Sequence, residues 1–354
     1  MPLDPELIKI LEEEKPFLFS FESLEAVFES EQKMDQETFA EEIRKNQIPV
    51  LHSAKAFRSF LEDNPCHVMV PYLLYREKPE DLLLSSSAMH MNWLWPSLLY
   101  IPLNISGEDH GALREIYGTA LQYERVLFLN HTTPHKSNAV MREIFGKGDG
   151  GDYLIRRKDS FIISEGNGRA IVEMVQGLLG SDDFTRATFV IVGAGGAGTL
   201  AAKAVREKNP KRIILVDLVD KSGLARELGA DFFKGVEELP DLRNEWLVTI
   251  DATTRTEAEF RKSIAHDFLL KTDCFDNVFI DYNVNLPVGT YRNRKTRCAV
   301  GRQYLAITNY IMVQEIVKAA ASVGIKLPPI AREDFEKKVM ESLSARDQIR
   351  QRLR

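Results

Sequence analysis

The spacing of apolar residues along the chain changes several times, and each change marks an element. Over residues 1–64, Leu7, Ile8, Ile10 and Leu11, then Phe39 and Ile43, then Phe57, Phe60 and Leu61 stand among Glu and Lys at helical spacing. That spacing lays an apolar stripe along a helix, so helices with short breaks are expected here. The runs then become compact. His67–Val70, Leu98–Leu103 and Arg125–Leu129 read as three strands, with helical spacing around 88–96 and 109–123 between them. Strands alternating with helices predict a parallel sheet with crossover helices. After a Gly/Asp cluster at 146–152, the runs Tyr153–Arg157 and Phe161–Ser164 predict a hairpin, and a helix follows over 168–179. Later strands are expected at 247–251 and 278–281, and the chain closes with helices over about 306–322 and 332–352.

Between these halves lies the most specific local signal. Residues 187–198 read Ala-Thr-Phe-Val-Ile-Val-Gly-Ala-Gly-Gly-Ala-Gly, and a helical stretch with Leu200, Ala201, Ala204 and Val205 follows. A second apolar run, 212–216, ends in Asp217, 19 residues past Gly198. In a dinucleotide-binding βαβ unit the first glycine (Gly193) makes a tight turn. The second (Gly195) lets a pyrophosphate approach the backbone, and the third (Gly198) lets helix and strand pack closely. The phosphates then sit at the helix N-terminus. Gly193, Gly195, Gly196, Ala197, Gly198 and Asp217 are therefore the candidate cofactor residues. A carboxylate at 217 accepts hydrogen bonds from a free ribose and repels a 2′-phosphate, which favours NAD over NADP. A glycine-rich turn of another α/β fold is the plainer reading. It does not explain the order strand, loop, helix, strand, acid.

Bulk properties narrow the class. A chain of 354 residues suits two domains, and 44% hydrophobic with 28% charged residues is ordinary for a soluble globular protein. The net charge of −6 without a long basic run argues against nucleic acid. No apolar run reaches the length of a membrane span, and the acidic start lacks a secretory pattern, so a cytoplasmic location is expected. Cys66, Cys274 and Cys298 are scattered without CxxC, and the histidines do not cluster. Neither a disulfide framework nor a metal site is expected.

The other chemical constellation is Asn130-His131-Thr132-Thr133-Pro134-His135-Lys136, at the carboxyl end of the third strand. Ligands gather at that end of an open α/β sheet. On spacing alone the segment is a solvated turn with a surface lysine. Asn-x-Thr-x-Pro-x-Lys, however, resembles the substrate motif of shikimate dehydrogenases, and other segments resemble that family in the same order. They are Ser85-Ser86-Ser87-Ala88-Met89-His90, Ser164-Glu165-Gly166-Asn167-Gly168, the loop Gly193–Gly198, Asp251-Ala252-Thr253, Asp281–Pro287 and Met312-Val313-Gln314. The resemblance covers roughly residues 65–325.

The resemblance implies a hydride transfer between a nicotinamide and a secondary alcohol on a small carboxylated ring. Lys136 would be the acid/base and Glu165 its acidic partner. Asn130, Thr132 and Gln314 would orient hydroxyls, one or more of Ser85, Ser86 and Ser87 would hold the carboxylate, and Thr253 would line the cofactor. Tyr282 and Tyr291 are alternatives for a further hydroxyl contact. His135 either packs or tunes the lysine, and packing is the simpler role. The chain also departs from the family. Glu165 stands where the family has Asp, no Asn stands near Asp152-Tyr153, and the Pro of the serine segment is absent. Ile307 and Asn309 replace glycines before the Gln helix. These changes imply altered substrate use, so an imine or another carbonyl is an alternative substrate, and a non-catalytic metabolite-binding regulator is an alternative of another class.

The expected architecture is α/β, with two domains around a cleft. A substrate domain would span 65–170 and be completed by helices in 307–354. A Rossmann dinucleotide domain would span 171–306, and residues 1–64 would be a helical extension acting as a packing cap or a homodimer contact.

Overall fold

The apolar runs become strands in a computed structural model that describes residues 17–19, 47–65, 68–74, 98–131, 135, 139–145, 152–164, 166–253, 264–284, 286 and 288–353. The chain divides into two units, Met1–Ser164 with Met312–Arg354, and Glu165–Ile311.

In the first unit, β1 (Phe17–Phe19) pairs antiparallel with β2 (Gln47–Pro49). This corrects the reading of residues 1–64 as helical at Phe17–Phe19 and Gln47–Pro49; residues 1–16 and 20–46 lie outside the described residues. Pro16 interrupts the helical spacing just before Phe17-Leu18-Phe19, a strand-forming aromatic run. The helix Ala54–Asp63 is present, capped by the Ser53 hydroxyl, which accepts from the Ala56 N–H at 3.1 Å. It is no appendage. Leu51 hydrogen-bonds along the strand Leu98–Asn104 through Pro102 and Asn104, and Ala54, Phe57 and Leu61 join the unit's core.

The main sheet of this unit has the order β4-β3-β5-β6-β7. β3 (Val68–Leu74), β4 (Leu98–Asn104) and β5 (Phe128–His131) run parallel. β6 (Tyr153–Arg157) and β7 (Ser160–Ser164) continue it antiparallel, as the hairpin pattern predicts. The helix His110–Gln122 buries Leu113, Ile116, Tyr117 and Ala120 with Met69, Ile101, Leu129 and Leu154. Its C-terminal carbonyls are held by Arg156, 1% exposed, whose Nη2 donates to Tyr123 at 3.0 Å and also to Ala120, while Nε donates to Val126 at 2.7 Å. A cation at a helix C-terminus is favourable, and here it also satisfies buried carbonyls. The predicted helix around 88–96 lies outside the described residues.

The second unit contains β8 (Ala187–Val192), β9 (Arg212–Val216), β10 (Asp231–Phe233), β11 (Trp246–Asp251), β12 (Val278–Asp281) and β13 (Arg297–Val300). The order is β10-β9-β8-β11-β12-β13, with every pair parallel. Helices cover both faces, which explains unbroken apolar runs such as 187–192. The helices Gly166–Leu179 and Gly196–Arg206 pack with Phe189, Ile191, Ile213 and Leu215, while the helix Ile264–Lys271 packs with Val190, Ile214 and Phe279 on the other side. Ala170, Ile171 and Val175 of the first of these helices join that core, and the unit runs over Glu165–Ile311. The helix Gly301–Ser322 also starts before about 306, since the Gln303 side chain caps the Val300 N–H at 3.1 Å. The last helix is Arg332–Leu353. None of the helices among the described residues is long and apolar enough to cross a membrane.

Candidate functional site

The glycine loop leaves β8 where strand order reverses, between β9 on one side and β11 on the other. Such a switch point is where open α/β sheets bind ligands. The glycines divide by what a side chain would meet. Gly193 has φ +87°, and a Cβ there would lie 2.8 Å from Thr253 Cγ2 and 3.0 Å from the Thr253 nitrogen. A Cβ on Gly198 would run into the Gly193 carbonyl oxygen. These two glycines are required by the protein's own packing. Gly195 and Gly196 are different, since a Cβ on either meets nothing within 4 Å. Gly195 is the N-cap of the helix Gly196–Arg206 and offers no side-chain cap. Bare backbone facing open space at an uncapped helix start is the geometry an anionic phosphate needs. Ala197 lies in the first turn of that helix.

Asp217, at the end of β9, is half-buried, and both its oxygens contact the backbone. Oδ2 accepts the Ala194 N–H at 2.7 Å, and Oδ1 accepts the Val219 N–H at 2.9 Å. It therefore ties the glycine loop to the next strand. Each carboxylate oxygen has a second lone pair, so acceptor capacity for a ribose remains. Leu218 and Val219 beside it are 80% and 63% exposed. At the ends of β11 and β12, Asp251 and Asp281 are register partners and both are buried. Asp251 accepts the Thr253 hydroxyl at 2.7 Å, which fixes Thr253 under Gly193. Asp281 accepts the Tyr291 hydroxyl at 2.7 Å. Burial, Asp281 and Asp251 raise the Tyr291 phenol far above its ordinary value, so it stays protonated. Tyr282 instead stacks on Tyr304 at 4.3 Å. Gly193, Gly195, Gly196, Ala197, Gly198, Asp217 and Thr253 thus come together in the second unit.

In the first unit, Asn130 and His131 are neighbours on β5 and so take opposite faces of the sheet, and an irregularity in the pairing with β3 decides which face each takes. β3 and β5 bridge at Met69↔Val126 and pair again at Tyr72↔Asn130, so three steps on β3 oppose four on β5. Pro71 sits in this interval and has no N–H for the ladder. A one-residue slip turns side chains to the other face. The Asn130 amide donates to the Tyr100 hydroxyl at 2.6 Å, whereas His131 Nε2 lies 3.3 Å from the Tyr117 hydroxyl among the core residues of the helical face. Burial foremost, then Tyr72, raises the Tyr100 phenol well above its ordinary value, against the lowering effect of Asn130. His135 is fully buried, with Nε2 at 2.7 Å from the Ile105 carbonyl. Gln314 is half-buried on the helix Gly301–Ser322. Its neighbour Glu315 pairs with Arg157 at 3.6 Å and Lys318 at 3.0 Å. Lys136, Glu165, Thr132, Ser85, Ser86 and Ser87 lie outside the described residues. The clue that would have revealed the slip was Pro71 inside an otherwise central strand.

A mixed sheet in one unit and an all-parallel sheet with a glycine loop in the other define a two-unit α/β fold. More particularly, the fold is that of the shikimate and quinate dehydrogenases. No family model and no curated protein matches the chain. Among solved structures it is similar to shikimate 5-dehydrogenase from Listeria monocytogenes in complex with shikimate and NAD, with TM-score 0.58 and 14% identity over 77% of this chain and 96% of that one. Quinate dehydrogenase from Corynebacterium glutamicum in complex with NAD gives 0.55 and 14%, over 78% and 99%. The 5-ketofructose reductase of a Gluconobacter species gives 0.54 and 14%, over 78% and 98%. At these identities the likeness is one of fold.

Proposed function

We propose that the chain is an NAD-dependent oxidoreductase that interconverts the secondary alcohol and ketone of a carboxylated, shikimate- or quinate-like ring. The observation that carries this reading is the open backbone at Gly195 and Gly196, at the switch point of an all-parallel sheet with Asp217 on the next strand. Gly193–Gly198 would hold the pyrophosphate, Asp217 the adenosine ribose and Thr253 the cofactor's far end. When bound, the nicotinamide supplies or accepts the hydride.

The protein's own residues do the rest. In the reducing direction the Lys136 ammonium would give its proton to the ketone oxygen as the carbonyl carbon gains hydride, and in oxidation the neutral amine would take the proton of the alcohol. Glu165 stabilises the ammonium by its charge. Asn130, Thr132 and Gln314 orient ring hydroxyls, and the serines at 85–87 receive the carboxylate. Glu165 is one methylene longer than the family's Asp, and this favours a substrate other than shikimate itself. The fold shared with a ketofructose reductase supports the same point.

The test is turnover of a panel of ring acids, keto acids, keto sugars and imines, followed by nicotinamide absorbance, for the wild type and Lys136→Ala. Loss of the acid/base should cut turnover by about 10²–10⁴, with NAD affinity within about twofold of wild type. Retained turnover in Lys136→Ala removes the lysine from the mechanism. No turnover of any substrate despite metabolite binding would identify a regulator.

A further inference from the structure

β7 ends the order β4-β3-β5-β6-β7, so one side of its backbone faces away from the sheet. The turn before it fixes which groups those are. Lys158, with φ +54°, and Asp159 form a two-residue loop between the register partners Arg157 and Ser160. The pair that closes such a loop exchanges both its hydrogen bonds, and bonded and non-bonded pairs then alternate along the antiparallel ladder. Ser160, Ile162 and Ser164 therefore turn their backbone groups toward β6, and the Ser164 carbonyl accepts the Asp152 N–H at 3.0 Å. Phe161 and Ile163 turn theirs outward, and among the described residues no hydrogen bond from another segment reaches them. Proteins blunt open edges with Pro, with charge or with a covering segment. The opposite edge, β4, has Pro102, which lacks an N–H, and Leu51, which bonds along it. β7 reads Ser-Phe-Ile-Ile-Ser, with neither Pro nor charge, and Ile162 at its centre is 44% exposed. Among the described residues of the first unit, Ile162 is the one exposed large hydrophobic.

We propose that β7 pairs antiparallel with β7 of a second copy of the chain, about a two-fold axis at Ile162. The choice of a second copy follows from the register. With the axis at Ile162, Phe161 of one copy faces Ile163 of the other, so outward groups meet outward groups and both such pairs exchange their bonds. Ser160 faces Ser164. Ile162 meets Ile162 as a non-bonded pair, where side chains come closest (about 4.5 Å between Cα atoms), and the exposed apolar surface is covered. The strand reads nearly alike in both directions, which suits a contact made by the same patch on both copies. A homodimer contact thus falls on β7 rather than on residues 1–64, and it does not depend on which reaction the chain catalyses.

The experiment is sedimentation equilibrium of the full chain over a concentration series, for wild type and Ile162→Lys, with diamide cross-linking of Ile162→Cys and Ser160→Cys. Both cysteine variants carry Cys274→Ser, because Cys274 is itself exposed, and Cys274→Ser alone is the control. Wild type should move toward twice the chain mass as concentration rises. Ile162→Lys sets like charges opposite each other and should weaken self-association by at least about tenfold, or about 1.4 kcal/mol, with Tm little changed. Diamide takes two electrons and two protons from a pair of thiols. Ile162→Cys should form a disulfide between copies, since disulfides span about 4.4–6.8 Å between Cα atoms. Ser160→Cys should not, because four strand positions, roughly 13 Å, separate it from its own copy. A wild type that stays monomeric at every concentration overturns the proposal. So does a dimer unweakened by Ile162→Lys, or one that Ser160→Cys cross-links as readily as Ile162→Cys.

Discussion

Replacing Gly195 by Ala separates ligand binding from folding at one carbon atom. The backbone at Gly195 has φ −73°, which any residue adopts, and the new methyl meets no protein atom within 4 Å. The fold loses only the modest advantage of Gly over Ala at an N-cap, up to about 1 kcal/mol, or roughly 2–4 °C in Tm for a unit of this size. A phosphate cradled there would instead meet the methyl. Losing one charge-assisted hydrogen bond costs about 1.5–3 kcal/mol, and every 1.4 kcal/mol is about tenfold in affinity, so the Kd for NADH should rise at least about tenfold. Gly198→Ala is the contrast. Its methyl strikes the Gly193 carbonyl and lies 3.3 Å from Ala252 Cβ. Backbone must move, at about 1–3 kcal/mol or more, and Tm should fall together with binding. Thermal unfolding and NADH fluorescence titration on both variants read the two effects. Gly195→Ala binding NADH as tightly as wild type would refute the cradle.

Two further outcomes test other parts of the structure. Arg156→Met keeps the contact with Phe161 but abandons buried carbonyls at Ala120, Tyr123 and Val126. It should cost about 3–5 kcal/mol, and an unchanged Tm would show that the guanidinium is dispensable. Burial pushes the Cys298 thiol up to about 12, whereas Cys274 is exposed. At pH 8 the Cys298 thiol is therefore protonated and poorly nucleophilic, and mass-spectrometric mapping of alkylation should find Cys274 labelled well before Cys298. The reverse order would contradict the burial.

The second unit was the more legible half because its signal is local. The order β8, glycine loop, helix, β9, Asp217 is written in about thirty consecutive residues, and each glycine has a steric or ligand-facing reason. Short strands such as Asp231–Phe233 and Arg297–Val300 escaped, since three or four residues carry no period of their own. In the first unit the strands and hairpin were visible in the apolar runs. The register between β3 and β5 was not, because a slip depends on two segments distant in sequence. The Asn130–Tyr100 bond and the Arg156 clamp were hidden for the same reason, since both join residues about thirty positions apart. The sequence marked Asp217 as a candidate ribose ligand, but its hold on Ala194 required coordinates.

The most direct test of the oxidoreductase account uses NADH deuterated at the hydride-donating carbon, with a panel of ring keto acids and keto sugars, and mass spectrometry of the product. The account predicts an alcohol carrying one deuterium at the former carbonyl carbon, formed by the wild type and not by Lys136→Ala. An alcohol without deuterium, or tight NADH binding with no transfer to any carbonyl offered, would contradict it.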